Sequence, residues 1–202
     1  MGYAARDIAD NLRYSAPPPL PARRAGGART DVVARLEASR EVLREAVAAV
    51  PGALWAARGP AGRWSAAEVV EHLALTEWAV VEFVRGTLLT WPRHDPAVTL
   101  PADHEVLRAS ADRSLRLDAP ERLRPVGQGA RPAALCAGLE AARDTAISLA
   151  VAHREALRAR TAPHPHFGQL DGAQWLLFLA GHADRHAAQL RELVGQRRPA
   201  AA

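Results

Sequence analysis

Two histidines four residues apart, set in an apolar stripe of helical period, limit what this chain can become. They lie in Gly181-His182-Ala183-Asp184-Arg185-His186-Ala187-Ala188-Gln189. On a helix, positions i and i+4 project from one face, one turn apart. That spacing lets two imidazoles grip one transition metal. The surrounding stripe runs Trp175, Phe178, Leu179, His182, His186, Gln189, Leu190, Leu193, so both rings should point inward. Buried neutral imidazoles resist protonation and need a partner. A metal answers that need, provided another part of the chain supplies at least a third ligand.

The chain has 202 residues, 49% of them hydrophobic, enough for one domain with a substantial core. Its single cysteine, Cys136, excludes an internal disulfide framework and a cysteine-rich zinc module. No apolar N-terminal run reads as a signal peptide and no stretch is long enough to span a bilayer, so a soluble cytoplasmic protein is expected. The net charge of +4 could suggest nucleic acid. Every basic residue is Arg, however, and the 22 acidic residues are interspersed among them. The charge therefore reads as compositional bias rather than a phosphate-binding surface, and no nucleic-acid partner is expected.

Residues 1–28, with Pro17-Pro18-Pro19 and Arg23-Arg24-Ala25-Gly26-Gly27, read as a tail or linker. Residues 29–195 form the domain, and 196–202 a second tail. A first long helix is predicted from Asp31, capped by Thr30, to before Pro51-Gly52. Ser65-Ala66-Ala67-Glu68 is a capping box that opens a second helix, about Ala66 to Leu89. A shorter helix is predicted over Asp103–Leu117. Pro132 suits a first helical position and opens a helix to about Arg158. Thr161–Gly168 reads as a loop, after which Asp171 and Gln174 box the start of the last helix, ending near Gly195. No segment has a convincing strand period. The expected fold is all-α, an antiparallel four-helix bundle with one additional short helix.

Val69, His72, Leu73, Thr76, Val80, Phe83 and Val84 share one face of the second helix, so His72 also points inward. It supplies the missing third ligand if the second and last helices are neighbours. Three imidazoles would leave coordination positions open for water or substrate, as in a catalytic site. The segment Arg63-Trp64-Ser65-Ala66-Ala67-Glu68-Val69-Val70-Glu71-His72-Leu73, with Trp175 and His182-x-x-x-His186-x-x-Gln189, resembles the DinB-like (DinB/YfiT) superfamily over about Asp31–Val194. The resemblance implies a four-helix bundle, often a homodimer, with a divalent metal held by His72, His182 and His186. Members include thiol-dependent S-transferases and a mycothiol-dependent isomerase.

Imidazole ligands suit zinc, nickel, iron and copper; zinc or nickel is expected first, with iron and manganese as further candidates. Glu77, five residues after His72, is the acidic candidate for proton transfer near the metal, and Gln189 a candidate to orient a ligand or substrate. Asp184 should point off the histidine face as a surface charge. His153 reads as a packed core histidine, and His164-Pro165-His166 as a loop above the bundle. Trp64, Trp78 and Trp175 read as core or rim anchors. Cys136 has no activating neighbour, so a cysteine nucleophile is not expected. The leading expectation is a metal-dependent enzyme acting on a small molecule: a hydrolase, or an S-transferase using a low-molecular-weight thiol. The alternative is a non-catalytic metal-binding or stress-response protein with a structural metal.

Overall fold

In the computed structural model, described over residues 29–59, 62–95, 97–114, 118–127, 129 and 131–196, the four long helices are α1 (Val32–Ala48), α2 (Ala66–Gly86), α4 (Pro132–Ala152) and α6 (Gly172–Gly195). A shorter α3 (Asp103–Ala111) and the one-turn α5 (Arg154–Arg158) complete the helices, and β1 (Thr161–His164) pairs with β2 (Gly168–Asp171). The all-α architecture thus holds, with a small hairpin added. The expected tail at 1–28 lies outside the described residues, as does the expected tail at 196–202 apart from Gln196.

Each helix begins where local chemistry dictates. At α1 the cap is Asp31 rather than Thr30: its carboxylate accepts from the Ala34 amide at 3.1 Å. Thr30 instead gives its amide to Asp103 at 2.8 Å, tying the chain to the start of α3. Ser65 and Asp171 form the expected reciprocal boxes at α2 and α6. The helix expected to run from Pro132 to Arg158 breaks at His153. The turn carries Leu157 back onto Gly172, where any Cβ would meet the Leu157 carbonyl at 3.0 Å. His153 is consequently exposed at the break instead of packed in the core.

The hairpin replaces an expected loop. Ala162 and His164 point inward from β1, Leu170 inward from β2, and the pair pins Ala162 opposite Leu170. Three residues connect the strands, and Gly168 takes the positive φ of 72° that closes such a connection.

The helices form a ring in the order α1, α6, α2, α4. Arg35 meets Asp184, and Arg191 reaches the Val42 carbonyl at 3.2 Å, so α1 and α6 run in the same direction. Glu77 with Arg143, and Val84 packed in one cluster with Leu149, set α2 and α4 parallel as well. His72 against His182, then Phe83 against Trp175, make α2 antiparallel to α6. The directions are therefore up, down, down, up. The long crossover between α2 and α4 allows a parallel pair that a short connection would forbid. Along it, α3 packs lengthwise on α6, so closely that a Cβ at Gly181 would meet the Leu107 carbonyl at 2.7 Å and collide with Ser110.

Among the described residues no helix is long and apolar enough to cross a membrane.

Candidate metal centre

The boxed starts of α2 and α6 fix the rotation of both helices. Ser65 accepts from the Glu68 amide at 3.3 Å, and the Glu68 carboxylate accepts from the Ser65 amide at 2.9 Å. Two turns on, that phase sets His72 beside Val69 and Leu73 on the buried face. The Asp171–Gln174 box does the same for His182 and His186 on the antiparallel neighbour.

The three imidazoles meet edge to face. His72 Nε2 lies 3.3 Å from His182 Nε2, which lies 3.0 Å from His186 Nε2. All three rings offer ligand atoms within 4.8 Å of one another. Bonds of about 2.0–2.1 Å from three nitrogens to one cation place those nitrogens about 3 Å apart.

The outer ring nitrogens decide what the inner ones offer. His72 Nδ1–H donates to the Leu123 carbonyl at 2.8 Å, and His186 Nδ1–H donates to Gln189 Oε1 at 2.7 Å. Both rings therefore turn Nε2 lone pairs inward. His182 has one proton to share between two such acceptors, and its buried Nδ1 has no hydrogen-bond partner. Hydrogen bonds alone cannot satisfy this group. A cation accepts all three lone pairs, so the donor set fits a divalent metal with imidazole ligands.

Electrostatics favour the same state. Burial holds His72 below the usual histidine range. Burial, then the neighbouring His186 and His72, takes His182 well below it. Burial followed by His72 lowers His186 to about 3. Each ring is thereby kept in its neutral, ligating form.

The centre is braced from outside. Trp64 lies 4.9 Å from the His72 ring, and Phe178 stacks on His182 at 5.4 Å. Glu71, adjacent to His72, accepts from the amides of Val126 and Gly127 at 3.1 and 3.2 Å. It holds down the segment that brings the Leu123 carbonyl over the bundle. The sequence gives no signal for a carbonyl 51 positions from its histidine, and Leu123 was not expected at the site.

All three rings line a cavity of about 690 Å³ that extends between α2 and α6 towards the hairpin, walled by Trp64, Phe83, Trp175 and Phe178. Gln189 is at the site, as expected, orienting His186. Glu77 is elsewhere. Its carboxylate is fully buried and gripped by the Nε and Nη2 edge of the Arg143 guanidinium, with Arg143 Nε 3.0 Å from Oε2. It lines a separate small cavity with Cys136 and Leu139, so it is committed to an ion pair rather than to the histidines. Asp184 faces away from the centre, as expected, into an ion pair with Arg35. His164, expected in a loop above the bundle, lies on a strand and is buried in the cavity wall. The alternation of Ala162 and His164 is the only trace of this in the sequence.

The chain belongs to the DinB superfamily: the family model of that description matches residues 35–190, more than half of its length. It is also 24% identical over 133 residues to a Bacillus subtilis (strain 168) protein named Uncharacterized protein YuaE, an overlap covering 66% of this chain and 78% of that one. No solved structure gives a significant match.

Proposed function

We propose that this chain is a metal-dependent enzyme that uses His72, His182 and His186 to hold one divalent cation and acts on a small molecule. The reaction is a hydrolysis or the transfer of a low-molecular-weight thiol. Zinc or nickel suits the three imidazoles best, with iron or manganese as further choices. The observation that carries the reading is the convergence of three neutral Nε2 atoms on the wall of a large cavity. A purely cross-bracing metal would have no use for that space. Bound there, the cation would supply a Lewis acid able to lower the pKa of water or a thiol towards about 7.

The protein's own residues do the rest. The Leu123 carbonyl and Gln189 hold the outer ring protons of His72 and His186, which keeps the inner nitrogens unprotonated and aimed. Trp64 and Phe178 restrict ring rotation and exclude bulk water from one side. Thr76 donates to the His72 carbonyl at 2.8 Å, leaving no polar demand there.

Elemental analysis of untagged protein beside His182→Ala tests this. About one metal per chain, lost in the variant, is expected. Absence of metal from native protein incubated with zinc, nickel or manganese would overturn the reading. Cobalt-substituted protein then separates the two reactions: a thiol route requires the visible spectrum to change when a small thiol is added, and an unchanged spectrum leaves hydrolysis.

A further inference from the structure

Two imidazoles that line the cavity, His164 and His166, lie outside the three-histidine cluster, and His164 is the more buried. His164 closes β1, buried to 7% exposure. Its ring stacks on Phe167 at 4.5 Å and lies 4.6 Å from Trp175 and 4.7 Å from Phe178. The His166 amide donates to His164 Nδ1 at 3.2 Å, so the neutral ring carries its proton on Nε2. Burial, and then the neighbouring His166, keep it neutral. Among the described residues no protein group accepts from that Nε2, and His164 lines the cavity. Trp175 adds a second donor to the same wall: its indole Nε1–H is buried with no acceptor.

Donors left without acceptors in an apolar wall are costly. The group that answers them is an oxygen on a bound molecule. The flat surroundings of Trp175, Phe178 and Phe83 suit a ring. Of the charged groups lining the cavity, Arg113 and Glu192 are paired with each other, and the exposed Arg63 and Arg122 outnumber the exposed Asp118, a balance that favours an anion. Phe178 joins this end to the three-histidine cluster, its ring 4.7 Å from that of His164 and 5.4 Å from that of His182.

We infer that the aromatic end of the cavity is a binding subsite for a small aromatic or alicyclic carboxylate, its ring against Trp175 and Phe178 and its oxygen accepting from His164 Nε2–H. That this molecule is the substrate rests on the proposed function. The subsite itself rests on these side chains alone.

Benzoate is the probe, titrated calorimetrically into chelator-stripped protein so that its carboxylate cannot be counted as a metal ligand. Native protein is expected to bind it, and His164→Phe, which keeps the packing and removes the donor, to bind about tenfold more weakly. His164→Gln retains an N–H and should recover most of the loss. Benzylamine, of the same size with a cation in place of the carboxylate, should bind at least tenfold more weakly than benzoate. Equal affinity in native protein and His164→Phe, or no benzoate binding to native protein, would overturn the subsite. If His164→Phe loses its helical circular dichroism, Trp175→Phe removes the second donor and carries the same expectation. Zinc uptake separates the two readings. Benzoate binding without zinc uptake leaves the subsite standing and the metal reading fallen, and zinc uptake without benzoate binding does the reverse.

Discussion

Two buried polar clusters lie on opposite sides of α2, and they could hardly be more different. On one side, Glu77 and Arg143 form a closed set: two bonds join them, and the second guanidinium prong reaches Ser39 Oγ at 2.8 Å and the Leu36 carbonyl at 3.1 Å. Three helices are locked together with each polar atom answered. On the other side, three imidazoles crowd inward, one buried ring nitrogen is unanswered, and a cavity opens beside them. A satisfied network has nothing further to bind, whereas an unsatisfied one is built for something else. Charge alone would have pointed to the wrong cluster.

Breaking the closed cluster should have the largest effect. Glu77→Ala strands a buried guanidinium and is expected to lower unfolding free energy by about 3–5 kcal/mol in a urea titration. The protein that remains folded should still bind one equivalent of zinc. His182→Ala reverses that pattern. With metal absent, its stability should stay within about 1 kcal/mol of native, because the ring borders the cavity on one side and its removal also relieves a buried nitrogen that has no partner. What it loses is metal-dependent stabilisation, about 4 kcal/mol when zinc stands at a thousand times its dissociation constant, read as the missing rise in melting temperature.

Gln189→Leu sharpens the contrast within the open cluster. Removing the acceptor for His186 Nδ1–H should weaken zinc binding by about 10- to 100-fold, measured by chelator competition, with stoichiometry preserved. Acid gives the smallest effect. Because His164 is neutral and depressed in the fold, the unfolded chain takes up its proton first as pH falls below about 6.5. Stability from this group is complete above that pH and is lost below it, until the folded ring itself protonates. Between pH 6.5 and 5, native protein should therefore lose stability more steeply than His164→Phe, the difference in slope rising towards about 1.4 kcal/mol per pH unit. Parallel slopes for the two proteins would contradict a buried neutral His164.

Features set by neighbouring residues were readable from the sequence. The Ser65–Glu68 and Asp171–Gln174 boxes are local, so they placed both helix starts and, through the helical period, the inward direction of all three histidines. Glu77 was misread because proximity in sequence is not proximity on a helix: five positions carry a side chain about 140° round from His72. That rotation turns it towards α4 and Arg143. The hairpin was hidden by its four-residue strands and by Pro163, which suits only an edge. Helix directions, the Leu123 carbonyl and the burial of His164 depend on where a long crossover and a turn deliver their residues, and no short-range pattern encodes that.

The separation of the ligands along the chain also governs how the centre comes into being. His182 and His186 become neighbours as soon as one turn of α6 forms, on the submicrosecond scale of about 0.1–1 μs for helix formation. His72 is 110 positions away from His182, and its brace at Leu123 arrives only when the crossover has docked. Such distant closure is slow compared with local structure. Zinc present during refolding is therefore expected to be captured first by the local pair, and to favour α6 before the ring of helices closes.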